Sequence, residues 1–195
     1  MTGIETALLL NKKEFGDILA KMYGGENVDH NLLRYEGLVK GFIKRYGDNN
    51  DIRIYSSPGR TEIGGNHTDH NNGKVLAASI NLDCIGVASK NEEQIINVVS
   101  LDYNMDFSID INTLKSNLDN GTVKLVRGLL DGFKKRGHKI GGFNTYMSSN
   151  VISAAGVSSS AAFEMLFCVI INDLYNDNSL DVVECAKIGQ YAENQ

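Results

Sequence analysis

Residues 153–164 read Ser-Ala-Ala-Gly-Val-Ser-Ser-Ser-Ala-Ala-Phe-Glu, a run of small side chains that leads straight into an apolar stretch. A turn of this composition opening a helix presents N–H groups that have no partner inside the helix, and the helix dipole adds positive potential where they converge. Anions bind at such tips. Gly156 and Val157 would form the turn, with Gly156 admitting a close approach of ligand to backbone, while Ser158, Ser159 and Ser160 carry hydroxyls able to cap the helix or to reach a phosphate oxygen or a Mg²⁺ ion. Ala161 continues the small-residue surface. The bland reading of the same string is a serine-capped helix, and so short a pattern does not by itself separate the two.

A second segment, 56–73, concentrates polar chemistry: Arg60, Asn66, His67, Asp69 and His70 lie within eleven positions of one another, just after the chain's only proline, Pro58. Together they supply a fixed cation, donors and acceptors, the set that suits a polyhydroxylated ligand. The preceding Ile52-Arg53-Ile54-Tyr55 alternates as a strand does, and Pro58-Gly59 is expected to end it, placing the polar residues on a loop at the strand's end. Asn, Gly, Asp and His also form ordinary turns. A zinc site built from His67, Asp69 and His70 has suitable residue types, but adjacent Asp69 and His70 have the wrong spacing to converge with His67 on one ion. Neither a Walker-type Gly-x-x-x-x-Gly-Lys-Ser/Thr string nor a protein-kinase His-Arg-Asp string occurs.

Taken together the two segments resemble the galactokinases of the GHMP small-molecule kinase superfamily. Pro58, Gly59, Arg60, His67 and Asp69 follow the Pro-Gly-Arg-x-x-x-Ile-Gly-x-His-x-Asp sugar-binding signature of that family, with Ile63 and Gly64 one position ahead of its Ile-Gly, and Gly156 to Ala161 with Glu164 follow its Gly-Leu-Ser-Ser-Ser-Ala-x-x-Glu motif, with Val157 for Leu. Asn66 stands where the family usually has Glu, His70 where it has Tyr, and Ile152-Ser153-Ala154 where it has Pro-x-Gly; these changes bear more on which sugar fits than on the phosphate grip.

The resemblance implies an α+β fold, a mixed, mainly antiparallel sheet packed with helices, with residues 1–195 forming the N-terminal GHMP domain. Its sugar signature lies near 56–73 and its phosphate-binding loop near 152–164. The family's catalytic aspartate segment and its C-terminal domain fall beyond these residues, so little turnover is expected of the chain alone. The implied reaction is transfer of the ATP γ-phosphoryl group to the anomeric hydroxyl of galactose. Arg60 would be catalytic, facing the reacting oxygen; Asn66, His67, Asp69 and His70 would bind sugar hydroxyls; and Gly156, Val157, Ser158, Ser159, Ser160 and Ala161 would cradle ATP. Ser160 and Glu193 would share the Mg²⁺ ion that arrives with the nucleotide. N-acetylgalactosamine or another hexose is an alternative substrate, and a non-catalytic sugar and nucleotide sensor an alternative role.

The elements that must position these residues can be read from periodicity. Glu5 to Tyr23 and Leu32 to Tyr46 have helical spacing, the second with Tyr35, Leu38, Val39, Phe42, Ile43 and Tyr46 on one packing face. Strands are expected near Ile52–Ser56, Val75–Asn81, Cys84–Ala88, Ile95–Val99, Asp106–Ile111 and Phe143–Ser148, with a helix from Thr122 to Arg136 before the last of them. Ala161 to Tyr175 is apolar almost all round and should be central, and Ser179 is expected to cap a final helix from Leu180 to about Glu193.

With 195 residues and 42% hydrophobic content, one domain with a substantial core is expected. The net charge of −5 gives no broad attraction for nucleic acid or an anionic membrane. Cys84, Cys168 and Cys185 are odd in number and set in apolar stretches, which reads as buried reduced thiols, and no basic leader or long apolar span is present, so the expected location is the cytoplasm. An exposed apolar domain face would favour self-association.

Overall fold

The computed structural model describes residues 1–48, 51–65, 74–102, 104–114, 121–152 and 158–195. Helices α1 (Gly3–Leu10), α2 (Lys13–Tyr23) and α3 (Val28–Tyr46) come first. They are followed by strands β1 (Arg53–Gly64), β2 (Leu76–Lys90), β3 (Ile95–Ser100) and β4 (Met105–Asp110), helix α4 (Gly121–Lys135), strand β5 (Phe143–Ser149) and helices α5 (Ser159–Tyr175) and α6 (Val182–Glu193). The strands form one sheet in the order β1-β2-β5-β3-β4, antiparallel throughout except for the parallel pair β3 and β5.

Strand β2 explains the layering. Successive side chains point to opposite faces, and here both sets are apolar: Cys84 and Ala88 join one core, Ile85 and Val87 the other, and all four are buried. On the first face α4, α5 and α6 pack through Leu129, Phe133, Leu166, Phe167 and Ile188 against Ile96, Val98, Phe143 and Met147. On the second, α2 and α3 bring Leu19, Leu38, Val39 and Phe42 against Ile52, Ile85 and Val87. The expected stripe on α3 is this contact, with Ile43 and Tyr46 at its half-buried edge.

Several boundaries differ from the sequence expectation. The single helix over Glu5–Tyr23 is two, because the Asn11 side chain donates to the Ala7 carbonyl at 3.0 Å and ends α1 at its C-cap, a competition with the helix ladder typical of Asn. Helix α3 starts a turn early, at Val28, after a 3₁₀ turn over Gly25–Asn27. Pro58-Gly59 does not end β1. The register slips between Pro58, opposite Asp83, and Arg60, opposite Ser79, and β1 is an edge strand; an irregularity on an edge is where a missing N–H is tolerated. Arg60 therefore sits on a strand, not a loop. The two strands expected over 75–88 are one, since Asp83 is satisfied by buried donors instead of breaking the strand. Asp181, not Ser179, caps α6, its carboxylate accepting the Glu184 N–H at 2.7 Å.

Helices α5 and α6 form a tight hairpin. The buried Asn172 carboxamide donates to the Leu180 carbonyl at 3.0 Å and accepts the Leu180 N–H at 3.1 Å, and Asp177 and Asn178 make the reversal with positive φ. α6 thus runs back along α5 and brings its last turn beside the first turn of α5. On its other side Gly128 of α4 lets α6 come close, since a Cβ there would lie 3.0 Å from Ala192 Cα.

Candidate active site

The first turn of α5 stands between two cavities. On one side is an open groove of about 570 Å³, walled by Ser57, Pro58, Gly59 and Arg60 of β1 with Ser79 of β2, and opposite them by Ser158, Ala161, Ala162 and Met165. On the other is a smaller cavity of about 270 Å³, lined by Cys84, Met105, Thr122, Leu125, Ser149, Ser159, Ser160 and Phe163. The turn itself is entered through Ser158, whose φ of 58° is left-handed, an uncommon conformation for a residue with a Cβ and one that recurs at ligand-binding turns. Ser158 occupies the N-cap position without a side-chain cap bond, so its hydroxyl is not spent on the helix, contrary to the simple capping reading of the serine run.

Ser160 meets Glu193: the hydroxyl donates to Oε1 at 3.1 Å across the α5–α6 hairpin. Glu193 also borders a third, shallow recess with Lys124 and Gln195. One turn further along α5, Glu164 is buried at 4% exposure, and its Oε1 has no hydrogen-bond partner among the described residues. Burial first, and then the carboxyl of Glu193 beside it, push the Glu164 pKa up to about 8, with the charge of Arg60 pulling the other way. The serine-rich motif includes Glu164, but its pattern alone gives this residue no part in the site. The signal that could have found it is its spacing, four residues after Ser160 on the same helix face.

The structure therefore brings together Arg60, Ser158, Ser159, Ser160, Ala161, Glu164 and Glu193 around one helix tip. Asn66, His67, Asp69 and His70, and also Gly156 and Val157, lie outside the described residues. Gly64 and Leu76, which flank 66–73, are paired in the β1–β2 ladder beyond Arg60. Hard oxygen donors such as the Ser160 hydroxyl and the Glu193 carboxylate are the type a Mg²⁺ ion takes, and the unpartnered Glu164 oxygen leaves acidic capacity next to them.

The galactokinase galactose-binding signature matches residues 40–90, and the N-terminal domain of the GHMP kinases matches residues 123–195. Galactokinase from Clostridium tetani is 34% identical over 84% of this chain and 42% of its own length, and that from Clostridium acetobutylicum 32% over 80% and 39%. Together these matches support an N-terminal galactokinase fragment of the GHMP superfamily. Among solved structures, galactokinase from Lactococcus lactis complexed with galactose superposes with a TM-score of 0.76 at 28% identity, covering 82% of this chain and 42% of that one. Mevalonate kinase from Methanococcus jannaschii superposes with a TM-score of 0.62 at 18% identity over 75% of this chain and 47% of its own, a likeness of fold. The chain spans about two fifths of the length of the curated galactokinases it matches. Its α+β architecture is that of the GHMP N-terminal domain.

Proposed function

We propose that this protein supplies the N-terminal portion of an ATP-dependent sugar 1-kinase that converts galactose and ATP to galactose 1-phosphate and ADP. The observation that carries the reading is the placement of Arg60 across an open groove from the first turn of α5, with Ser160 and Glu193 joined on the far side of that turn. In this reading the groove beside β1 takes the sugar and the smaller cavity takes part of the nucleotide. The phosphates lie against the helix tip, where N–H groups and the dipole favour negative charge.

Phosphoryl transfer asks the protein mainly to position the groups and to stabilise charge. Arg60 turns its guanidinium donors toward the reacting oxygen and the transferred group; Asn66, His67, Asp69 and His70 hold the sugar hydroxyls; and Gly156 to Ala161 hold the phosphates. Ser160 and Glu193 would hold the Mg²⁺ ion, which when bound neutralises charge on the phosphate oxygens. The residues from 1 to 195 act as one domain, and the three buried, unbridged cysteines accord with a cytoplasmic setting. No helix among the described residues is long and apolar enough to cross a membrane. Exposed Ile63, Leu76, Val182 and Val183 are apolar surface that favours association, either with a further domain or with a second copy.

The test is calorimetric titration of the chain with galactose and with Mg²⁺-ATP, followed by ADP release against a panel of hexoses in a protein that also carries the part of the relatives this chain does not span. Galactose-dependent ADP release is expected. Release independent of hexose removes the substrate assignment, preference for N-acetylgalactosamine replaces it, and tight sugar binding without ADP release assigns a sensor.

A further inference from the structure

One residue is bonded both to the strand that carries Arg60 and to the exit from β5. Asp83, 2% exposed in β2, accepts hydrogen bonds from the Tyr23 hydroxyl at 2.5 Å, from the Ser56 hydroxyl at 2.5 Å and from Arg34 Nη1 at 3.1 Å. Its backbone makes a two-way clasp with Asn150: the Asp83 N–H donates to Asn150 Oδ1 at 2.6 Å, and the Asp83 carbonyl accepts the Asn150 N–H at 3.1 Å. Ser56 lies on β1, four residues before Arg60, and Asn150 lies on the exit from β5, eight residues before Ser158.

Regular pairing between β2 and β5 stops at Cys84 and Ser149, and beyond that point the chain is held by one backbone bond, Asn150 N–H to the Asp83 carbonyl, and by side chains. The Ser149 N–H donates to the Asp102 carboxylate at 2.6 Å and the Val151 N–H to Ser149 Oγ at 3.2 Å, flanking the Asn150 clasp. A buried carboxylate tolerates little loosening of its donors, because each donor withdrawn leaves charge unsolvated in a medium of low dielectric. Tyr23 and Arg34, anchored in α2 and α3, therefore hold the Asp83 carboxylate in place; that carboxylate fixes Ser56, and the Asp83 backbone fixes Asn150. None of this geometry is required simply to fill a core, where an apolar residue of similar volume would serve.

We propose that Asp83 is a positioning residue for the kinase site. It sets the spacing between β1, which carries Arg60, and the point from which the chain departs toward the helix tip of α5. The inference rests on the reading of the site given above. It acts through Asn150 on the nucleotide side and through Ser56 on the sugar side.

The experiment uses the 195-residue chain and two probes, a fluorescent ATP analogue with Mg²⁺ and galactose itself, with affinities measured well below each variant's melting temperature. Asn150→Ala is expected to weaken the nucleotide analogue at least tenfold while changing galactose affinity less than threefold. Ser56→Ala is expected to show the opposite pattern, and Asp83→Asn to weaken both. Thr2→Ala, which removes the cap of α1, lowers the melting temperature and leaves both affinities within twofold, so that loss of stability alone is separated from loss of positioning. Equal binding of both probes by Asn150→Ala, Ser56→Ala and the parent overturns the inference while leaving the site reading intact. A parent chain that binds neither probe overturns both.

Discussion

Glu164 gives the sharpest physical test of the site. Its carboxyl is buried on α5 beside Glu193, and its pKa is held near 8 against an ordinary value of 4.5. Between those two pH values the folded chain keeps a proton that the unfolded chain has released, so this group's contribution to stability is present in full below pH 4.5 and is lost as the pH rises toward 8. Each unit of separation is worth about 1.4 kcal/mol, so by pH 7 the loss amounts to about 3 kcal/mol. Glu164→Gln keeps the shape and cannot ionise. The variant is therefore expected to match the parent near pH 4.5 and to exceed it progressively above that, by about 3 kcal/mol at pH 7. The assay is urea unfolding of both proteins in divalent-free buffer at half-unit steps from pH 4.5 to 8.5, read as the difference between the two, in which the titrations they share cancel. A difference that stays flat across this range, or that favours the parent as pH rises, refutes the argument that burial and the neighbouring carboxylate keep Glu164 protonated.

Other substitutions test the proposed function and the fold that supports it. In a protein with phosphoryl-transfer activity, Arg60→Ala should lower kcat at least a hundredfold with a small change in galactose affinity, whereas Asp69→Ala should mainly raise the sugar Kd; steady-state kinetics paired with titration separates them. Asp181→Ala removes the cap of α6 and should cost about 1 kcal/mol, measured by thermal unfolding, with no change in helix content by circular dichroism beyond the frayed turn. Gly142→Ala should be far more damaging, because its Cβ would lie 1.9 Å from the Glu93 carbonyl oxygen; a loss of about 3 kcal/mol or failure to accumulate as folded protein is expected.

Much of the fold could be read from the sequence wherever one face of an element had to be apolar. The stripe on α3, the helix over 121–135 and the all-round apolar α5 are cases in which burial dictates residue type at fixed spacing. Boundaries decided by single polar contacts were not legible. Asn11 and Asp181 act through local hydrogen bonds that several neighbouring polar residues could have made equally well, and Pro58 is tolerated in β1 because of the strand's place at the sheet edge, which no local pattern announces. Within the site, the meeting of Ser160 with Glu193 was anticipated only through the family resemblance. Proximity across 33 residues depends on the Asn172 clasp and the α5–α6 reversal. Asp83 escaped notice altogether, since a lone acidic residue in an apolar run looks like a turn until its donors from α2, α3 and β1 are known.

The opening turn of α5 is a party wall with a compartment on each side, Ala161 facing one and Ser159 and Ser160 facing the other. Neither compartment can be remodelled from this wall in isolation: a bulkier residue that narrows the groove also tilts the helix start that shapes its neighbour. If the groove takes the sugar as proposed, altered sugar preference is to be sought on the β1 and β2 side of the groove, where Ser57 and Ser79 border one compartment alone.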